Sequence, residues 1–426
     1  MFSFHIDYKC ISTELCDIGS KYDSEKSSKR FYISRKRPFH PYSIFYHSLF
    51  KNHRKKCLNI AEFGIMKGEA LLTWEEYFPN STVFGFDDSN DNLNNFRRKY
   101  KNNRIVLSEI EYPFKSLGSC YDIFIDNFTT TIEDKKNVLK NVVAFLKPGG
   151  IFVFENIDKL SNELVYEEEL KDILHEHFDL WYFVSMENNR KYDKDRDKDK
   201  LFVLIKKGTP IFDNKKKMTL ITPSTRPENL LRIHTSINFD YIDNWLIVYD
   251  GKVIKNNPML FEDKNTKIKE YVFEGDGWCG NPQRNFALTQ IKDENTYLYY
   301  LDDDNEIHPD LYKLLNVIDD GYLCTFNQKL FNESKEFRLG NNISLGKIDS
   351  AQFLIHFSLC KFVPWLTKLY ESDGMYVETI YSINPNKWVY VNNTLSYINY
   401  VTNVPSNYNK NKHDSEEIGE PGNTKL

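Results

Sequence analysis

The chain is 426 residues long, 41% apolar and 27% charged, with a formal net charge of −5. That length predicts two or three domains, each able to bury a core of its own. The composition excludes a disordered, collagen-like or fibrous chain, and the acidic balance without a basic block argues against a nucleic-acid binder.

No apolar run approaches the roughly 20 residues that cross a bilayer. The opening MFSFHIDYKC lacks the basic segment and apolar core of a secretory signal. The seven cysteines (10, 16, 57, 120, 279, 324 and 360) are scattered, odd in number and without zinc spacing. A reducing, cytoplasmic setting is expected, with the thiols mostly buried as small apolar groups.

In chain order, residues 1–50 are predicted to form a helical cap on a first domain that runs to residue 208. Strands are expected at Asn59–Phe63, Thr82–Phe86, Ile105–Leu107, Tyr121–Ile125 and Ile151–Phe154, and helices at Glu69–Tyr77, Leu93–Lys101, Asp134–Phe145 and Glu167–His177. Strands that alternate with helices argue for a parallel sheet covered on both faces. Two further apolar segments, Leu180–Ser185 and Leu201–Lys206, flank the run ENNRKYDKDRDKDK, which reads as a solvated loop. Residues 209–217, with Gly208-Thr209-Pro210 ahead of Lys215-Lys216-Lys217, read as a linker. A second domain then spans 218–405 and becomes less regular after Asn305, and a polar tail at 406–426 is expected to be disordered.

In the first half, Glu62-Phe63-Gly64 ends a strand and Gly68 opens a helix. Such a turn lets backbone approach a ligand and aims helix N–H groups at it. The next strand ends in Asp87, placed to accept hydrogen bonds from the hydroxyls of a ribose. In the second half, TYLYYLDDDNEIH (296–308) breaks from an apolar strand into Asp302, Asp303 and Asp304. Carboxylates at the carboxyl edge of a sheet suit Mg²⁺ or Mn²⁺, and such a cation can bridge a diphosphate. Upstream, Arg284 sits at the start of a helix, where the dipole favours an anion. Thr222 and Asp250 close two other strands.

The motif Glu-x-Gly-x-x-x-Gly (62–68), Asp87, and Leu146-Lys147-Pro148-Gly149-Gly150 before a strand resemble the class I S-adenosylmethionine-dependent methyltransferases. WEEYFPNSTVFGFD (74–87), SKYDSEK (20–26) and HPYSIFYHSLF (40–50) are similar to the sugar O-methyltransferases of macrolide and polysaccharide pathways. The resemblance covers roughly residues 15–207. It implies that Glu62, Gly64 and Gly68 line the methionine part of the cofactor and that Asp87 holds its ribose. It also implies a divalent cation on acidic pairs at the ends of the fourth and fifth strands. Here Asp126 and Glu155 remain, Asn127 and Asn156 replace the second acids, and Phe-Thr-Thr-Thr stands where the family has a histidine. Asp126 is left as candidate base, or equally as the cap of the turn that follows it.

The second half resembles the type-A (nucleotide-diphospho-sugar transferase) fold, in detail the β-1,3-glucuronyltransferases. Four spaced matches carry this: Thr222-Pro223-Ser224, Trp245-x-x-Val-x-Asp250, Gln283-Arg284-Asn285-x-Ala287-Leu288 and Asp302-Asp303-Asp304-Asn305. The resemblance implies that Asp250 and Arg284 contact the nucleoside, Asp303 the ribose and Asp304 the manganese, with Asp302 supporting the loop. It offers Glu371, and after it Asp373, as the base. Together these expectations describe an α/β enzyme that joins a sugar from a UDP-linked donor to a glycan acceptor and O-methylates a sugar hydroxyl. The alternatives are a glycosyltransferase with a degenerate methyltransferase half, and a non-catalytic glycan-binding scaffold.

Overall fold

The computed structural model describes residues 2–7, 12–27, 42–101, 104–110, 117, 120–158, 161–187, 200–209, 211, 216–253, 260–261, 265–318, 321–330 and 336–398. The charged run at 188–199, part of the linker and the tail at 406–426 lie outside them. Strands of the first half are β1 (Phe2–Asp7), β2 (Asn59–Phe63), β3 (Thr82–Asp87), β4 (Ile105–Glu109), β5 (Tyr121–Asp126), β6 (Leu146–Ile157), β7 (Phe178–Glu187) and β8 (Lys200–Lys206). All six residues of β5 are buried, as expected of a central parallel strand covered on both faces. The intervening helices begin on polar side chains. Ser89, Thr131 and Asn162 each accept a hydrogen bond from a first-turn N–H, which satisfies donors that would otherwise have no partner.

The strand order is β4-β3-β2-β5-β6-β8-β7. Strands β4 to β6 are parallel, and β8 runs antiparallel to both β6 and β7. The chain starts at β2, moves outward to β3 and β4, then crosses back to β5. That reversal opens a crevice between the carboxyl ends of β2 and β5, where ligands bind in α/β sheets.

The second half supplies β9 (Met218–Ser224), β10 (Ile242–Asp250), β11 (Ile268–Phe273), β12 (Tyr297–Tyr300), β13 (Leu323–Leu330), β14 (Glu336–Arg338), β15 (Phe353–His356) and β16 (Trp388–Ile398). Their order is β11-β10-β9-β12-β15-β13-β16, with β14 hanging from β13. Strands β9 to β12 are parallel, β15 is antiparallel to both its neighbours, and β16 is parallel to β13. The order reverses again, this time between β9 and β12. The sheet thus has a second crevice of the same kind.

One element departs from expectation. Residues 1–50 were predicted to be helical, and helices do form at Glu14–Lys21 and Tyr42–Phe50. Phe2–Asp7, however, is a strand that pairs parallel with β7 and antiparallel with β16. It joins the strands of both halves into one sheet. The alternation of Phe2, Phe4 and Ile6 with polar residues is the strand period of two. Phe4 is buried and meets the Tyr182 ring edge-on, 5.8 Å between centroids. Among the described cysteines, Cys16, Cys324 and Cys360 are buried but Cys57, Cys120 and Cys279 are exposed, so burial is less general than composition suggests. No helix among the described residues is long and apolar enough to cross a membrane. Replacing Phe4 by Ala is expected to cost about 3–5 kcal/mol, as for other buried aromatics. Urea unfolding followed by tryptophan fluorescence would show a correspondingly lower midpoint.

Candidate functional site

The first crevice is an open cleft of ≈ 350 Å³, lined by Gly64, Asp87, Asp88, Ile110, Phe128, Thr129, Thr130 and Asp134. Gly64 adopts φ +80°, and a Cβ there would lie 3.2 Å from the backbone of Asn127 and Phe128. Only glycine lets the β2 turn pass so close to the β5 turn. Asp87 is buried at the floor. Its Oδ2 accepts from the Met66 N–H at 3.2 Å, and its Oδ1 from the Ser89 N–H at 2.9 Å and Asn92 Nδ2 at 3.1 Å. One carboxylate therefore ties the glycine turn to the start of the helix Asn90–Lys99.

Two residues expected to line the cofactor, Gly68 and Glu62, are not among those that line this cleft. Gly68 caps the helix Glu69–Tyr77 at φ +81°, and its Cβ position would fall 2.1 Å from the Phe96 ring; its smallness serves packing. Glu62 is fully buried behind the cleft, where Oε1 accepts from Lys26 Nζ at 2.7 Å and Oε2 from Trp74 Nε1 at 2.8 Å.

At the end of β6, Glu155 Oε1 accepts from Lys26 Nζ at 2.9 Å and from the Tyr46 hydroxyl at 2.7 Å. Its Oε2 is buried without a hydrogen-bond partner. Burial raises the Glu155 carboxyl above its ordinary range, opposed by Lys26, while two carboxylates hold the Lys26 ammonium charged against its own burial. At the end of β5, Asp126 accepts from the N–H groups of Phe128 and Thr129, at 2.9 and 3.0 Å, and from the Thr129 hydroxyl. All of these contacts hold the turn, the second of the two roles the sequence left open. Asn156 Nδ2 donates to Asn127 Oδ1 at 2.6 Å. Lys26 closes the SKYDSEK stretch, but no role was assigned to it there; its partners lie 36 and 129 residues away, so only folding reveals its role.

The second crevice gathers the three aspartates at the end of β12. Asp303 is buried and accepts from Ser224 Oγ at 3.2 Å, from the N–H groups of Thr225 and Arg226 at 2.8 Å each, and from Arg226 Nε at 2.9 Å. Arg226 Nη2 reaches Asp304 Oδ2 at 3.0 Å. Asp302 accepts from Arg284 Nη2 at 2.6 Å and from Ser350 Oγ at 3.1 Å. Arg284 is buried, over the Trp365 ring at 4.7 Å, so it organises Asp302. Thr222 is also buried, its hydroxyl accepting from Trp245 Nε1 at 2.9 Å, and Asp250 Oδ1 caps the turn at the Lys252 N–H. Of the two candidate bases, Glu371 is exposed, whereas Asp373 is half-buried and takes the Ser350 N–H at 3.2 Å. The residue that sequence reasoning missed is Arg226, visible there only as part of a strand-end loop.

Burial shifts two of the carboxyls at this crevice. Burial pushes Asp304 up to about 6, with Arg226 opposing and Asp302 and Asp303 adding. Burial likewise pushes Asp373 up to about 7, opposed by Arg284 and reinforced by Asp349 and Asp302. Among the described residues no three His, Cys, Asp or Glu side chains converge to hold a metal by themselves. Asp304 meets Arg226 through Oδ2.

The family described as “Methyltransferase domain” matches residues 57–218. Residues 57–218 are thus similar to a methyltransferase domain, over less than half of the chain. The malonyl-[acyl-carrier protein] O-methyltransferase 2 of Ilyobacter polytropus is 30% identical over 157 residues, which is 35% of this chain and 58% of that protein. The chain thus spans well under two thirds of the curated relative. Among solved structures, the MycE methyltransferase of mycinamycin biosynthesis, in complex with Mg and SAH, is 15% identical at a TM-score of 0.33, covering 47% of this chain and 58% of that one. CalS10, an amino pentose methyltransferase from Micromonospora echinaspora, is 20% identical at a TM-score of 0.25, covering 30% and 54%.

Two outcomes are expected. Asp87→Ala should weaken S-adenosylhomocysteine binding about tenfold, or about 1.4 kcal/mol, by calorimetry. The second concerns Asp373, whose folded-state pKa lies above its unfolded value of 3.8. The folded state then holds the extra proton between about pH 4 and 7, so this group's contribution falls as pH rises through that window. Asp373→Asn should therefore raise the melting midpoint above pH 7 and leave it unchanged below pH 4.

Proposed function

We propose that the chain is a bifunctional glycan-modifying enzyme. The amino-terminal half transfers a methyl group from S-adenosylmethionine to a sugar hydroxyl, and the carboxy-terminal half transfers a sugar from a nucleotide-diphosphate donor. The methyltransferase reading is supported by the family match over 57–218 together with the cleft that presents Gly64 and Asp87. The sugar acceptor is supported by the sequence resemblance at residues 20–26, 40–50 and 74–87.

The observation that carries the glycosyltransferase reading is the convergence of Asp302, Asp303 and Asp304 with Arg226 at the second crevice. Asp304 Oδ1 would hold a Mn²⁺ or Mg²⁺ ion, which when bound supplies positive charge to a departing diphosphate. Arg226 would add a guanidinium to the same face. Asp373, poised near pH 7, would take the proton from an acceptor hydroxyl as that oxygen bonds to the anomeric carbon and the diphosphate leaves. Attack opposite the leaving group inverts that carbon. UDP is the nucleotide implied by the sequence resemblance.

A second reading keeps the glycosyltransferase and makes the amino-terminal half a binding module. It is favoured by Asp126 being spent on its own turn and by the Asn127–Asn156 pair. The test is release of UDP from a panel of UDP-sugars with Mn²⁺, run beside methyl transfer to the product glycan. The wild-type protein is expected to release UDP, and Asp304→Asn to lose at least 100-fold. UDP release without methyl transfer would favour the second reading, and the absence of both would leave a scaffold.

A further inference from the structure

We propose that Lys26 is a built-in cation of the amino-terminal site, and that this site takes no divalent metal. The proposal rests on the methyltransferase reading above. The resemblance puts a hard cation on acidic pairs at the ends of β5 and β6, and each oxygen there can be checked for what already holds it. Asp126 gives both oxygens to its turn, accepting two N–H groups and a hydroxyl. The Asn127 carbonyl, the hard donor left by that substitution, accepts from Asn156 Nδ2. Glu155 Oε1 accepts from Lys26 and Tyr46. Two oxygens take no hydrogen bond among the described residues, the buried Glu155 Oε2 and the Oδ1 of Asn156, whose Nδ2 is held by Asn127. Water can complete the shell of a hard divalent cation, so the count of free oxygens does not exclude one; the ammonium does, because an ion on Oε2 would face the Lys26 charge bound to the other oxygen of the same carboxyl.

The lysine is placed by a built turn. The Ser24 N–H donates to Gly19 O at 2.8 Å, the Ser27 N–H to Ser24 O at 3.1 Å and the Ser43 N–H to Lys26 O at 3.0 Å. Ser27 Oγ also donates to Cys16 O at 2.6 Å. Both the Lys26 side chain and its two carboxylate partners are buried. A buried ammonium shared by two carboxylates offsets the cost of burying the charges away from water. It also fixes Glu155 with Oε2 uncommitted, so Lys26 acts as a positioning residue for that carboxylate.

Two measurements test this. S-adenosylhomocysteine is titrated calorimetrically into the wild-type chain before and after EDTA treatment; the expected dissociation constants agree within twofold. A tenfold or greater loss that Mg²⁺ or Mn²⁺ restores would overturn the proposal and leave the methyltransferase reading intact. Absence of binding in both conditions would overturn both. Mn²⁺ binding is then followed by electron paramagnetic resonance in Asp304→Asn protein, which lacks the carboxylate assigned to the second crevice. No Mn²⁺ that Glu155→Gln removes is expected there. Adding Lys26→Gln frees two carboxylates and should create one Mn²⁺ site, at least tenfold tighter, which Glu155→Gln abolishes. Mn²⁺ bound through Glu155 while Lys26 is present would contradict the proposal.

Discussion

A carboxylate buried at the end of a strand must be met by a cation or by N–H donors, because burying an uncompensated charge costs several kcal/mol. That constraint organises both crevices. Glu62 and Glu155 share Lys26, Asp303 and Asp304 share Arg226, and Asp302 is held by Arg284. Asp87 and Asp126 are instead met by backbone N–H groups of the turns they stabilise. Once these pairings are made, few acidic oxygens are left to face a ligand. Glu155 Oε2, Asp304 Oδ1 and the Asp373 carboxyl are the ones the chemistry above draws on.

Both crevices arise from the same topological event, a reversal of strand order beside a central parallel strand. The chain makes it twice, at β2/β5 and at β9/β12, and β1 joins the two sets of strands into a single sheet. The main apolar cluster is continuous in the same way, with Phe4, Leu15 and Ile60 packed in one body with Met218, Trp245 and Leu395. Ser48, on a helix of the first half, donates to Val317 O of the second at 3.1 Å. A shared sheet and a shared core give a reason for the two halves to occur as one chain.

Much of this was legible in the sequence, and the rest was hidden for physical reasons. The strand Asn59–Phe63 and the helix Glu69–Tyr77 form over the expected residues, because apolar runs and a glycine boundary are local signals. The helix expected at Glu167–His177 starts at Glu163, where the Asn162 cap outweighs a run of acidic residues. Strand β6 begins at Leu146, five residues earlier than the apolar run alone suggests. The aspartates do lie at strand ends, but their counter-charges could not be read. Arg226 meets Asp303 across 77 residues and Lys26 meets Glu155 across 129, distances at which sequence carries no pairing signal. Gly68 shows the converse limit, since the sequence requires a glycine there without saying that the Phe96 ring is the reason.

The central claim is that one sheet carries two separate nucleoside sites. Calorimetric titration of the full chain with S-adenosylhomocysteine, followed by UDP in the presence of Mn²⁺, tests it directly. The account requires one equivalent of each, bound independently, with UDP binding lost when Mn²⁺ is withheld. Competition between the two nucleosides for a single site, or no binding of either, would contradict it.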